Sequence, residues 1–187
     1  TPEGGMILKP ASFDHLFMDC HVDSDFMGLH GKEHRSDPVS VKSRGGYIIS
    51  LNNCPLVWSS KLQDSIALST MMAEYYELST AMKAVLPLRN LTMTVAKAFG
   101  VPEDHLSTFK VTCWEDNTAA QILANLEPGR TTPRSKFYDV KVHWFRSHLS
   151  DQISVERVDT KEQLADIFTK PLPTETFRYL RKKILGW

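Results

Sequence analysis

The sequence predicts an α/β domain built on a mixed five-stranded sheet flanked by helices. Two observations carry this. Three strand-like runs come first, and strand and helix signals then alternate, which is the order of an antiparallel meander followed by strand–helix–strand crossovers. The chain has 187 residues, 42% of them hydrophobic, enough for one domain with a packed core.

Residues 1–15 contain Pro2, Gly4, Gly5 and Pro10 and read as a tail or linker. Residues 16–23 read as a strand that runs out into Asp23, Ser24 and Asp25. Residues 30–42 are charged and contain Pro38, so a loop is expected. Gly45 to Leu51 is the second strand and Leu56 to Ser59 the third. Between them, Asn52 and Asn53 before Cys54 and Pro55 mark a hairpin turn.

A helix follows Ser69 or Thr70, with Leu78, Ala81, Met82 and Val85 as its apolar stripe. Glu74 lies four residues before Leu78 and shares that inward stripe, which an acid needs a reason to do. Pro87 is expected to break or restart this helix, which continues to Phe99 and stops at Gly100. Phe109 to Asp116 is the fourth strand, and Asn117 caps a short helix over 118–125. Pro128 and Gly129 turn the chain into a basic loop. A longer helix is expected from Ser135 to Leu149, with Val140, Trp144 and Leu149 inward. Ile153 to Val158 is the last strand. Thr160 and Gln163 have capping-box spacing, opening a helix that carries Leu164, Asp166 and Ile167. A terminal helix follows Pro173.

Composition narrows the function. Basic and acidic residues number 22 each, so the net charge is zero. Affinity for nucleic acid comes mostly from phosphate neutralisation. A nucleic-acid substrate would therefore be delivered by another part of a larger protein. No apolar run has the length of a membrane span, and residue 1 is Thr, as expected of a piece of a longer chain. Cys20, Cys54 and Cys113 lack metal-ligand spacing and read as free thiols in a reducing compartment. The seven histidines likewise form no zinc-binding pattern.

Four acids carry the chemistry. They are Asp23 in V-D-S-D-F-M-G, Glu74 in A-L-S-T-M-M-A-E-Y, Asp116 in C-W-E-D-N and Asp166 in Q-L-A-D-I-F-T-K-P-L. Asp23 and Asp116 end strands that the expected topology makes neighbours, where ligands gather in such sheets. Singly, each acid has a bland reading as a turn, cap, first-turn or solvated residue. Jointly they call for a compensating charge, which hard divalent cations supply through oxygen ligands.

This element order and these acids resemble ribonuclease H. The wording resembles the ribonuclease H domain of copia-type retrotransposon Pol polyproteins. The matching stretches include D-P-V-S-V-K-S-R-G-G-Y-I-I, P-L-V-W-S-S-K-L-Q-D-S-I-A-L-S-T, A-E-Y-Y-E-L-S, D-N-T-A-A-Q-I-L-A-N, R-S-K-F-Y-D-V-K-V-H-W-F-R-S-H-L and Q-L-A-D-I-F-T-K-P-L-P. The resemblance implies a ribonuclease H-like fold over 16–170, a C-terminal helix over 171–187, and a tail over 1–15 from an upstream reverse transcriptase domain. It implies an endoribonuclease that cleaves the RNA strand of RNA/DNA hybrids during reverse transcription. Asp23, Glu74, Asp116 and Asp166 would hold two Mg²⁺, with Mn²⁺ as alternative. Asp23 would bridge both ions, Glu74 and Asp116 would complete one, and Asp166 would hold the other.

Ser24 and Asn117, beside the proposed ions, would read the substrate's 2′-hydroxyls, and Arg130, Arg134 and Lys136 would hold phosphates. An intracellular location is implied, in a cytoplasmic virus-like particle or the nucleus. The chain departs from the family pattern in three places. Met72 stands where the family has a Glu that boxes Ser69. Phe137 replaces a His, and Val158 to Lys161 lack the His that cellular ribonucleases H carry before the last acidic helix, an absence that resembles the copia group's own pattern. Two other functions stay open: a non-catalytic remnant supporting a polymerase, and a Holliday-junction or integrase-type nuclease on the same fold.

Overall fold

A computed structural model describes residues 4–10, 15–28, 38–133, 135 and 142–187. It contains the mixed five-stranded sheet, in the order β3-β2-β1-β4-β5. Strands β1 (Phe17–Asp25), β2 (Arg44–Leu51) and β3 (Cys54–Leu62) form the antiparallel meander. The turn at Asn52 and Asn53 has positive φ at both residues, 47° and 66°, the backbone of a type I′ hairpin that asparagine tolerates. Strands β4 (Lys110–Glu115) and β5 (Ile153–Arg157) add in parallel through crossovers. This ribonuclease H-like arrangement places β1 at the centre.

One face of the sheet packs against α1 (Thr70–Ala98) and α3 (Thr118–Ala124). Strand alternation turns Met18, Cys20, Val111 and Cys113 into that core, where Leu78, Ala81, Met82 and Val85 meet them, all essentially without exposure. Cys20 and Cys113 are free thiols. On the other face lie α4 (Asp166–Thr169) and α5 (Thr174–Leu185), whose Phe168, Phe177 and Ile184 share an apolar pocket with Ile48 and Trp58. A fifth helix, α2 (Glu103–Ser107), precedes β4.

Several elements differ from expectation, each for a physical reason. Pro87 does not break α1, which is continuous. Pro87 and Lys83, whose carbonyl loses its partner, are both exposed, so water can satisfy the freed group. The helix expected over 135–149 is, in its described part, a 3₁₀ turn over Trp144–His148. Phe145 and Arg146 are its buried residues, while Trp144 and Leu149 are only half-buried. Arg134, Val140 and the segment with Lys136 and Phe137 lie outside the described residues. The Thr160–Gln163 capping box is absent. Asp159 caps a short 3₁₀ turn instead, accepting from Lys161 N at 2.9 Å, and α4 starts only at Asp166.

Candidate active site

The site is built where β1 and β4 part. Their pairing runs from Phe17↔Lys110 to His21↔Trp114. Carried two residues further, that register sets Asp23 level with Asp116. Asp23 has no exposure and Asp116 is half-buried. Glu74 reaches the same place from α1, at 4% exposure, and Asp166 from α4, at 6%. The four acids thus converge, in two overlapping groups. Ligand oxygens of Asp23, Asp116 and Asp166 lie within 4.8 Å of one another, and so do those of Glu74, Glu115 and Asp116. The carboxylate common to both groups is Asp116, whereas Asp23, expected to bridge both ions, belongs to one of them.

Glu115 is a fifth acid that the sequence reading passed over. A signal for it existed: Val111, Cys113 and Glu115 alternate inward along β4, and Glu115 ends that row with no exposure. One of its oxygens accepts from Asn117 N at 2.9 Å. Its other oxygen, and Glu74 Oε2, are buried without a hydrogen-bond partner among the described residues.

Crowding acids in a buried place shifts their protonation. Burial, then Glu115, Asp23 and Asp116, push the Glu74 carboxyl well above its ordinary range. Burial likewise raises Glu115, with the Asn117 N–H opposing. Asp166 is pushed up to about 6, first by burial and then by Asp23. Lys170 opposes all of this. Its Nζ lies 2.8 Å from Asp23 Oδ1 and 2.8 Å from Asp166 Oδ1. Burial works against that ammonium, but the two carboxylates outweigh it and hold the proton on. Asp23 also accepts a short hydrogen bond from Thr169 Oγ1. Lys170 and Thr169 belong to the F-T-K-P stretch that the sequence reading used only as a family signature.

The remaining expected residues scatter. Ser24 is buried at 2% exposure, and its Oγ accepts from Gln63 Nε2 at 3.2 Å, so it faces the interior. Asn117 caps α3, its Oδ1 accepting from Ala119 N and Ala120 N at 3.0 Å. Arg130 is exposed and pairs with Glu127 at 2.9 Å. Arg134 and Lys136 lie outside the described residues. Arg146 is a charged side chain buried at 3% exposure. It donates to Tyr75 Oη at 2.8 Å and to the Arg130 carbonyl at 2.6 Å, fastening the Arg130 loop to the helix residue after Glu74.

Oxygen ligands in this number, with too little positive charge, suit hard divalent cations. Strand order and acid cluster together define a ribonuclease H-like domain. The chain is 30% identical over 167 residues to the retrovirus-related Pol polyprotein from transposon TNT 1-94 of Nicotiana tabacum, covering 89% of this chain and 11% of that protein. It is 28% identical over 185 residues to the Pol polyprotein from transposon RE2 of Arabidopsis thaliana, covering 98% of this chain and 11% of that one. The Ty1-DR5 Gag-Pol polyprotein of Saccharomyces cerevisiae is 28% identical over 165 residues, covering 86% of this chain and 9% of its own length.

The chain is therefore a relative of copia-type retrotransposon Pol polyproteins, and spans about a tenth of their length. No protein-family model matches it. Among solved structures, RNase H1 of Halobacterium salinarum is 14% identical at TM-score 0.42, covering 82% of this chain and 94% of that one. LC11-RNase H1, solved with an RNA/DNA hybrid, is 16% identical at TM-score 0.44, covering 82% of this chain and 93% of that one. These overlays are loose, and the strand order rather than the superposition identifies the fold. Among the described residues, no helix is long and apolar enough to cross a membrane.

Proposed function

We propose that this domain hydrolyses the RNA strand of RNA/DNA hybrids during retrotransposon reverse transcription, working beside a reverse transcriptase domain of the same polyprotein. The observation that carries this is the pair of overlapping acid groups joined at Asp116. Their fit to divalent ions has direct support. Glu74 Oε2 and Glu115 Oε2 are buried acceptors with no donor among the described residues, and an acceptor left so costs about 1–3 kcal/mol unless a ligand satisfies it.

Asp23, Asp116 and Asp166 would hold one Mg²⁺ or Mn²⁺, and Glu74 with Asp116 and Glu115 the other. When bound, two such ions lower the pKa of a water and neutralise charge on the scissile phosphate. The protein's own part is positional. The ends of β1 and β4 fix Asp23 and Asp116 on a rigid sheet. Asn117 holds Glu115 through its backbone N–H, and buried side chains keep water from screening the cluster. Asn117 and Arg130 would meet the substrate, together with Arg134 and Lys136.

Residues 16–170 would form the catalytic unit and 171–187 its closing helix, acting in an intracellular virus-like particle. The test is cleavage of a labelled hybrid across a Mg²⁺ series, with duplex DNA and duplex RNA as controls. Wild type should cut only the hybrid's RNA strand, and Asp23→Asn should abolish cutting with an unchanged circular dichroism spectrum. An Asp23→Asn protein as fast as wild type would remove the reaction from this site. A wild type that never cuts, alone or joined to its polymerase, would leave the scaffold reading.

A further inference from the structure

Lys170 connects the acid cluster to a second feature. Its ammonium sits between Asp23 and Asp166, at 2.8 Å from each, and its side chain is 30% exposed. The same side chain lines an adjoining cleft of about 410 Å³. Lys42 and Arg44 stand on that wall too, with Asp25 as the one acid among its described lining residues. Ser60 lines the cleft as well, its hydroxyl donating to the Phe168 carbonyl at 2.6 Å.

We propose that Lys170 is a resident counter-cation that a divalent ion must displace, and that its released ammonium turns into the cleft beside Lys42 and Arg44 to hold a phosphate of the nucleic-acid backbone. This rests on the proposed metal-dependent reading of the cluster.

Charge and room govern the exchange. Lys170 already engages Oδ1 of both Asp23 and Asp166. A divalent ion on those oxygens brings two charges at about 2.1 Å, and an ammonium cannot share them. Lysine suits such an exchange, since its charge rides on a flexible four-carbon stem with three rotatable donors. The cleft is the adjoining space, but there the ammonium meets Lys42 and Arg44. Three cations facing one acid among the described lining residues favour an anion between them, and a backbone phosphate is the anion a nucleic acid supplies. Metal entry and phosphate capture are then linked: each favours the other by the same factor.

The experiment uses three proteins: wild type, Lys170→Met and the double variant Lys42→Ala/Arg44→Ala. Lys170→Gln is a second choice should the methionine variant fold poorly. Mg²⁺ affinity is measured by calorimetry without nucleic acid. Hybrid affinity is measured by fluorescence anisotropy in Ca²⁺ over a salt series.

Lys170→Met should bind Mg²⁺ at least about 5-fold tighter and melt lower in EDTA. It should also bind hybrid several-fold more weakly, with the salt slope reduced by about one. The double variant should weaken hybrid binding while leaving Mg²⁺ affinity as in wild type. Equal or weaker Mg²⁺ binding by Lys170→Met, with wild type binding normally, overturns the displacement and spares the metal site. Unchanged hybrid binding by both variants overturns the phosphate cleft. Absence of Mg²⁺ binding in every protein overturns the metal-dependent reading and this proposal together.

Discussion

Gln163 Nε2 donates to the Val22 carbonyl at 2.8 Å, from a side chain with no exposure. Its Oε1 lies 3.1 Å from His21 Nδ1. Burial holds that ring's pKa down near 4, with the Gln163 contact opposing, so the imidazole is neutral at physiological pH. One glutamine thereby clamps the segment before Asp166 onto the strand that carries Asp23.

Gln163→Leu should cost about 1–3 kcal/mol, because it strands the Val22 carbonyl and His21 without these partners. It should also weaken Mg²⁺ binding, since Asp166 loses its anchor. Urea denaturation and calorimetry check the two effects. Lost stability with unaltered metal affinity would show that Asp166 is held by other contacts.

Gly46 faces Asp23 across the β1–β2 ladder. A Cβ there would lie 2.8 Å from Phe168 Cβ and 2.9 Å from Thr169 Cγ2, both near the backbone of α4. Gly46→Ala should lift α4 from the sheet at a cost of about 1–3 kcal/mol. The Asp166 side should loosen more than the Glu74 side. The check is Mg²⁺ affinity in Gly46→Ala against Gly46→Ala/Asp166→Asn, and additive losses would speak against displacement of α4.

Glu77, at 5% exposure, is a buried acid outside the proposed ligand set. Burial raises its carboxyl to about 7, the Gln63 hydrogen bond lowers it, and Asp23 adds to the rise. The folded protein thus holds a proton there that the unfolded chain releases near 4.5. Its contribution to stability is full below pH 4.5 and is lost as pH rises through 7. Glu77→Gln should therefore gain on the order of 3 kcal/mol over wild type between pH 4.5 and 8, measured in EDTA. Parallel stability curves would contradict a protonated Glu77.

At the start of α1, Ser69 Oγ accepts from Met72 N at 3.1 Å, and no acid occupies the first turn. Met72 Sδ accepts weakly from Leu68 N at 3.4 Å. Met72→Glu should complete the capping box and add about 0.5–1 kcal/mol. Thermal melts decide. A lower melting temperature would mean that the half-buried Met72 contributes more by packing than a carboxylate does by capping.

What the sequence disclosed was whatever local chemistry decides. The Asn52-Asn53 hairpin, the Leu78–Val85 stripe and the Asn117 cap each follow from conformational preference or period. Asp23 and Asp116 stood out because they end strand-like runs, Glu74 because it shares an apolar helix stripe, and Asp166 through the Q-L-A-D-I-F-T-K-P-L stretch. Long-range contacts were hidden. Gln163 looked like a cap because its spacing from Thr160 was right, and nothing local says that it crosses to Val22. Lys170 looked like part of a signature, although its place one helical turn after Asp166 put an ion pair within reach. Arg146 was hidden by its charge, since its burial depends on partners far away in sequence, at Tyr75 and the Arg130 carbonyl.

The cluster takes its oxygens from residues near 23, 74, 115 and 166, so no short piece of chain holds it. On the proposed function this orders events during synthesis. A nascent chain that has emerged only through β5 has Asp23, Glu74, Glu115 and Asp116 but lacks Asp166, Thr169 and Lys170. It would have neither its last ligand nor its internal counter-cation. On that reading the site is completed only when α4 has joined the sheet, so its assembly reports that the whole domain has folded.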